Sequence, residues 1–156
     1  MAFFKLFSTA FPEGGTIPKL YTCEGADLSP EIEWSGEPPN TKSFALVFDD
    51  TDAPSGTWNH WLLWNIPASV HALAQGVKPE RVGESGTNDF GKSGYGGPAP
   101  PKGHGPHRYY IRLFALDIEK LDLHAGAKRA DLDRALERHV LEKAVYMGRY
   151  ERKWGR

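Results

Sequence analysis

Residues 44–48, Phe-Ala-Leu-Val-Phe, form the stretch that decides the fold of this 156-residue chain. All of its side chains are apolar, so a strand built from them has to be covered on both of its faces. Residues 61–66 and 109–116 are further runs of the same kind. Short β-compatible pieces precede residue 44, and turn signals separate them at residues 13–15, 29–30 and 38–40. These runs predict a mainly β protein.

One later segment has a different pattern. Apolar residues recur at helical spacing between Ala130 and Val145, with charged residues on the opposite side. This spacing predicts a helix over residues 130–145. Long strands, scattered turns and one late helix predict a β-sandwich or barrel-like core with a peripheral helix, in a single domain of residues 1–156.

Charge and composition argue against several kinds of partner. A formal net charge of −1 gives no overall attraction to nucleic acid or to an anionic membrane. The single cysteine, Cys23, rules out an internal disulfide, and the sequence contains neither an apolar leader nor a long apolar run. We therefore expect a cytoplasmic protein with no integral membrane association.

A loop rich in glycine and proline spans residues 94–106 and can form neither helix nor central strand. It leads into His107 at the start of the third apolar run. Glycines let backbone N–H groups approach a ligand and prolines fix the path, so the loop predicts a rigid small-molecule pocket. Residues 86–93 match the G-x-x-x-x-G-K-S phosphate loop by accident, because that motif needs a helix directly after it.

Asp50 is the first candidate site residue. It continues the alternation of the strand that contains Phe44, so its carboxylate is expected on a buried face. A buried carboxylate needs a partner, and histidines are the expected partners. The same argument places four residues of the next strand on one face: Trp58, His60, Leu62 and Trp64.

Asp50, His60 and His107 are expected to meet at one rim, because each lies near the end or the beginning of a predicted strand. Two histidines, a carboxylate, a tyrosine and loop amides fit an anion pocket. The same groups fit a metal site with two histidines and one carboxylate. No two of these ligands have a close spacing such as H-x-H, which argues against the metal site, and we expect no metal and no cofactor.

Three ordered motifs resemble the signatures of the phosphatidylethanolamine-binding protein family, which includes Raf kinase inhibitor proteins and plant flowering-time regulators. The motifs are residues 50–54 (Asp-Thr-Asp-Ala-Pro), 58–61 (Trp-Asn-His-Trp) and 105–109 (Gly-Pro-His-Arg-Tyr). The resemblance covers nearly the whole chain. The short length and residues 65–68 are similar to the prokaryotic branch of the family.

The resemblance implies an antiparallel β-sandwich with a small pocket at one end for phosphate-type anions and phospholipid head groups. Carried over by position, the pocket residues are Asp50, Trp58, His60, Pro101, His107 and Tyr109. Asp52 and Arg108 are expected behind the pocket, with the arginine bonded to carboxylates or carbonyls. The resemblance also implies a cis Ala53–Pro54 bond and a homodimer.

Two positions depart from the family pattern. Thr51 stands where the acidic motif usually has proline, and Ala99 stands where the prokaryotic loop often has cysteine. Neither change removes a group that would touch an anion.

We therefore interpret the chain as a non-catalytic binding or regulatory protein and not as an enzyme. Its expected ligand is a small anion such as phosphate or phosphoethanolamine, and its expected protein partner is a kinase or a protease. Within the pocket, Asp50 is expected to orient His60. The alternative is a metal-assisted or acid–base hydrolase that uses Asp50, His60 and His107; the sequence shows no activated nucleophile for it.

Overall fold

The computed structural model describes residues 3–154 as eight β-strands and one α-helix, with short 3-10 turns at Lys19–Tyr21 and Pro79–Arg81. The elements in chain order are β1 (Lys5–Phe7), β2 (Ile32–Ser35), β3 (Ser43–Asp50), β4 (Trp58–Pro67), β5 (Ala72–Leu73), β6 (Glu84–Ser85), β7 (His107–Leu116), α1 (Arg129–Leu136) and β8 (Val140–Tyr150). The expected domain of residues 1–156 includes residues 1, 2, 155 and 156, which lie outside the described residues.

Two antiparallel sheets form a sandwich. The small sheet has the strand order β1-β2-β5, and the large sheet has the order β6-β4-β3-β7-β8. The core between them is rich in large apolar side chains, among them Trp34, Phe44, Phe48, Trp61 and Ile111. The predicted mainly β fold with antiparallel sheets is confirmed.

The central strand β3 is buried along its entire length. Its second face packs against a separate apolar cluster that includes α1, with Ala45 and Val47 on the strand and Leu132 and Leu136 on the helix. The prediction that residues 44–48 form a strand covered on both faces, with the helix at the periphery, is therefore confirmed.

The predicted helix over residues 130–145 is only partly right. α1 ends at Leu136, and Arg138 then adopts a left-handed backbone with a φ of 68°, which ends the helical path. The second half of the predicted helix belongs to the strand β8, whose buried residues alternate at positions 144, 146, 148 and 150. Pairing along the length of β7 supplies hydrogen bonds and burial, and these outweigh the helical spacing of the sequence.

A β-bulge in β4 decides where His60 points. Phe48 pairs with Trp61, whereas the next residue of β3 pairs with Asn59, so His60 is the extra residue on β4. A bulge bends the strand and re-aims a side chain, and bulges are common beside functional sites.

The expectation that Trp58, His60, Leu62 and Trp64 share one face is therefore wrong. Leu62 and Trp64 pack in the cluster that includes α1. His60 lies on the opposite face, where its ring meets that of Phe48 edge-on with centroids 5.7 Å apart. The extra residue breaks the strict alternation on which the prediction was based.

The segment that matches the phosphate loop has no helix after it. Residues 86–93 form a loop closed by an antiparallel bridge between Thr87 and Ser93, and the next regular element in the described chain is β7. Residues 94–106 are irregular, as their glycine and proline content predicts. The match is accidental.

Asp49 is a buried carboxylate on the face of the large sheet that packs against α1. Its side chain is 2% exposed, and it accepts hydrogen bonds from Arg112 at 3.2 Å and from Arg129 at 3.0 Å. Arg129 also donates to the side-chain oxygen of Asn59 at 2.8 Å. This network ties the start of α1 to three strands of the large sheet.

We expect Asp49→Asn to lower the free energy of unfolding by about 3 kcal/mol, because it leaves two arginines without their buried counter-charge. The matched control is Asp133→Asn. Asp133 pairs with the same Arg129 at 2.9 Å, but its side chain is 55% exposed, and exposed pairs contribute about 0–1 kcal/mol. Urea denaturation at pH 7 measures both, and equal losses for the two variants would contradict the role of burial.

Candidate functional site

Three neighbouring strands bring the predicted site residues to one end of the large sheet. β3 lies between β4 and β7, and both neighbours run antiparallel to it. The end of β3 therefore lies beside the starts of the other two strands, and Asp50 pairs with Trp58 on one side and with Tyr109 on the other. Three motifs that are far apart in the chain thus meet at one rim.

A cavity of about 250 Å³ opens at this rim. The predicted pocket residues that line it are Asp50, Trp58, His60, Pro101 and His107. Its other walls come from six residues that the sequence does not predict: Ala53, Pro54, Ser55, Phe90, Ala99 and Pro100. Most of the lining is apolar, so the few polar groups that face the space determine how a ligand is oriented.

Asp50 and His107 form a buried hydrogen-bonded pair in the lining of the cavity. Oδ2 of Asp50 lies 2.6 Å from Nδ1 of His107, and the two side chains are 4% and 1% exposed. Oδ1 of Asp50 accepts a second hydrogen bond, from the backbone N–H of Asp52 at 2.8 Å. Nδ1 of His107 must carry a proton to donate to the carboxylate, so Asp50 fixes both the orientation and the tautomer of that ring.

His60 is held by the backbone and not by Asp50. Its Nδ1 donates to the carbonyl oxygen of Gly96 at 2.7 Å. The expectation that Asp50 orients His60 is therefore wrong, because the carboxylate is already taken by His107. Burial lowers the pKa of His60 from its ordinary value, so the ring is neutral at pH 7 and its Nε2 carries a lone pair that can accept a hydrogen bond.

Two polar atoms beside the cavity have no partner within residues 3–154. They are the indole N–H of Trp58 and the hydroxyl of Tyr109. Tyr109 does not line the cavity, and its ring lies beneath, stacked on His107 and edge-on to His60 at centroid distances of 6.4 and 5.4 Å. Burial, followed by the charge of Asp50, raises the pKa of Tyr109 far above its ordinary value, so the hydroxyl keeps its proton.

Asp52 and Arg108 form a two-pronged ion pair outside the cavity. Nε and Nη2 of Arg108 donate to the two carboxylate oxygens at 2.9 and 2.8 Å, and the backbone N–H of Arg108 adds a third bond at 2.8 Å. The hydrogen-bonded guanidinium lowers the pKa of Asp52 to about 2. The pair ties the residue after His107 to the turn that follows β3, as the family resemblance implies.

The backbone amides of the glycine-rich loop are not available to a ligand in the way the sequence analysis expected. Gly96 donates to the carbonyl of His60 at 2.9 Å, Gly97 donates to Oδ1 of Asp27 at 2.8 Å, and Gly103 donates to the carbonyl of Arg152 at 2.8 Å. A side chain at position 97 would lie 2.3 Å from the backbone of Tyr21. The loop uses these amides to hold itself in place, and it contributes proline and alanine walls to the cavity.

The predicted cis bond between Ala53 and Pro54 is wrong, because residues 3–154 contain no cis peptide bond. The chain reverses after Asp52 by another route. The N–H of Gly56 donates to the carbonyl of Ala53 at 3.1 Å, and Gly56 has a φ of 107°. A turn that ends in a glycine of positive φ needs no cis proline.

Phe90 is the pocket residue that the sequence analysis missed most clearly. Its ring meets Trp58 and His60 edge-on at centroid distances of 5.6 and 5.2 Å. Asn88 holds the surrounding loop by accepting from the N–H of Phe90 at 3.0 Å. The available signal was a large aromatic residue in a glycine-rich loop, where nothing in the strand pattern accounts for it.

The residues considered for a metal site do not assemble into one. Among the residues that the structure describes, no group of three or more His, Cys, Asp or Glu side chains could hold a metal ion.

A helix long and apolar enough to cross a membrane is not found between residues 3 and 154.

We expect Arg108→Ala to lower the stability of the protein at neutral pH and the difference from wild type to shrink in acid. The pKa of Asp52 is lowered in the folded state, so the stability that it contributes is present above the ordinary aspartate pKa, near 3.8, and is lost as the pH falls through about 2. Urea denaturation between pH 6 and pH 2.5 measures this, with Lys102→Ala as a control that removes a charge from the preceding loop. A difference that persists unchanged to pH 2.5 would contradict the assignment.

Comparisons with known proteins agree with the observed fold. Residues 7–151 match the family described as phosphatidylethanolamine-binding protein. A UPF0098 protein of Aquifex aeolicus is 46% identical over 154 residues, which is 97% of this chain and 90% of the relative. The crystal structure of a putative phosphatidylethanolamine-binding protein homolog from Chlamydia trachomatis has a TM-score of 0.90 at 35% identity and covers 97% of this chain and 99% of its own. Escherichia coli YbcL, described as a new member of the mammalian family, has a TM-score of 0.89 at 34% identity, with 95% of this chain and 98% of its own covered. This chain belongs to the phosphatidylethanolamine-binding protein family.

Proposed function

We propose that this protein is a non-catalytic binding protein whose cavity takes a small phosphate-type anion or a phospholipid head group. The observation that carries the proposal is the convergence of Asp50, His60 and His107 on one cavity of about 250 Å³ with mainly apolar walls. Such a space suits a small ligand that a few polar groups hold in one orientation.

The hydrogen-bonding groups around the cavity support a ligand that both donates and accepts. Neutral His60 offers a lone pair at Nε2, which favours a ligand O–H or N–H. The unpartnered N–H of Trp58 would gain from a nearby acceptor, because buried donors are rarely left without one. A phosphate monoester with an ammonium group, such as phosphoethanolamine, combines both kinds of atom.

Binding of a head group alone should be weak. Two charge-assisted hydrogen bonds at roughly 1.5–3 kcal/mol each give about 3–6 kcal/mol. This range corresponds to dissociation constants from several millimolar down to tens of micromolar. A lipid tail or a protein partner would add the contacts needed for tighter binding.

The regulatory part of the proposal rests on the family resemblance alone. It comprises a kinase or protease as the protein partner and a homodimer, whereas the cytoplasmic location is proposed from the sequence itself. Light scattering at high micromolar concentration tests the homodimer, and a monomer mass there would contradict it.

A second candidate function is acid–base hydrolysis, and the hydrogen bond between Asp50 and His107 favours it. A carboxylate that fixes a histidine tautomer is the arrangement by which a general base is positioned. A nucleophile would still be needed, and burial raises the pKa values of both Cys23 and Tyr109, which disfavours their activated forms.

We expect phosphoethanolamine to shift the NMR signals of Trp58, His60 and His107 in the wild-type protein. Asp50→Asn and His107→Ala should weaken binding by about 10- to 100-fold, the equivalent of one charge-assisted hydrogen bond. The matched control is His139→Ala, because His139 also pairs with an aspartate, Asp117, at 2.9 Å, but at the far end of β7. Its affinity should equal that of the wild type.

Two results of this titration would contradict the proposal. Shifts confined to residues outside the cavity would refute the pocket assignment. Steady release of inorganic phosphate from phosphoethanolamine that Asp50→Asn abolishes would refute the non-catalytic interpretation and favour the hydrolase.

A further inference from the structure

His104 makes a direct contact with the pocket histidine. Its Nδ1 lies 2.6 Å from Nε2 of His107, and the ring centroids are 4.8 Å apart at an interplanar angle of 69°. The other nitrogen of His107 is bonded to Asp50. Both ring nitrogens of His107 are therefore occupied by the protein itself.

The contact is made from outside the cavity. His107 is a wall shared by the cavity and by a more open groove of about 460 Å³, and His104 lines only the groove. Nε2 of His107 is thus covered by a neighbour from the groove side.

The contact between His104 and His107 excludes one protonation state of the pair. A hydrogen bond between two nitrogens requires one proton and one lone pair. With His107 donating from Nδ1 to Asp50, the two histidines can hold this bond while they carry a total charge of zero or of +1. When both rings are fully protonated, two N–H groups face each other and the contact has to open.

We propose that His104 competes with the ligand of the cavity for Nε2 of His107, so that an anion binds this nitrogen only after His104 has turned away. This inference rests on the proposed function of the cavity, and it adds a residue that controls access to Nε2 of His107. It makes His104 an internal competitor and not a contact of the ligand.

The surroundings of His104 allow its side chain to leave while the backbone stays. His104 is exposed, whereas His107 is buried between Asp50 and Tyr109. The backbone of the loop is braced from the C-terminal segment, where Gly103 donates to the carbonyl of Arg152 and lies against the indole of Trp154. A rotation about the side-chain torsions of His104 is therefore sufficient to free His107.

The charged groups around the pair leave the histidines to decide the local charge. The titratable and charged groups that line the two spaces or pack against His107 are Asp50, Asp52, His60, Arg108, Tyr109 and Arg149. The two carboxylates offset the two arginines, and Tyr109 keeps its proton. An anion is thus favoured whenever the two histidines carry positive charge.

The first test is a phosphate titration by NMR at pH 7.5 with the wild type, His104→Ala and His124→Ala. Removing the competitor should tighten the binding of inorganic phosphate by about two- to tenfold, the equivalent of one hydrogen bond. His124 is an exposed histidine in a different loop, and its replacement should leave the affinity unchanged. Unchanged binding in His104→Ala would overturn the proposal. Weaker binding would also overturn it, because it would make His104 a contact of the ligand.

The second test needs no ligand. In protein labelled with ¹⁵N-histidine, His104→Ala should shift the Nε2 signal of His107, which loses its partner, and leave that of His60 in place. An unmoved His107 signal would overturn the proposal whatever the result with phosphate. If the signal moves and phosphate binds neither protein, the proposed function fails and the competition fails with it.

Discussion

The hydrogen bond between Asp50 and His107 is the interaction on which the proposed binding site depends. Both side chains are almost fully buried, and a buried carboxylate without its partner would be very costly. The start of β7 is therefore held against the end of β3, and the register of these strands places Tyr109 beside Asp50. The other groups at the rim are arranged around this pair. They include the cavity wall and the two-pronged bridge between Asp52 and Arg108, which lies one residue further along β7.

Two consecutive carboxylates at the end of β3 have opposite uses, and the alternation of the strand explains why. Asp49 points to the helix side, where two arginines hold it and join the layers of the fold. Asp50 points to the side of the cavity, where a histidine holds it. Arginine stays charged at any relevant pH, whereas histidine can gain or lose a proton near neutrality. The pair held by arginine is therefore permanent, and the pair held by histidine belongs to the proposed binding site.

The glycine-rich loop serves the cavity indirectly. Several of its amides are used to fix its own path, and one of its carbonyls, that of Gly96, orients His60. The hydrogen-bonding groups that remain for a ligand come mainly from side chains on β4 and β7. This division suits a binding protein, in which a rigid wall shapes the space and a few side chains select the ligand. If His104 has the proposed role, the availability of one of those side chains, His107, to a ligand depends on the position of His104 in the loop.

The sequence by itself determined the mainly β fold, the doubly covered central strand and the identity of five of the eleven residues that line the cavity. Local residue patterns predict the apolar strands and the burial of Asp50, and the tertiary structure retains both. Only the tertiary structure decided that residues 140–150 form a strand, because pairing with β7 outweighs their helical spacing. It also decided that His60 faces the cavity through a bulge, that His107 and not His60 is the partner of Asp50, and that Phe90 and His104 join the site. Each of these features depends on which groups compete in space for the same partner. The spacing of residues along the chain does not determine the outcome of that competition.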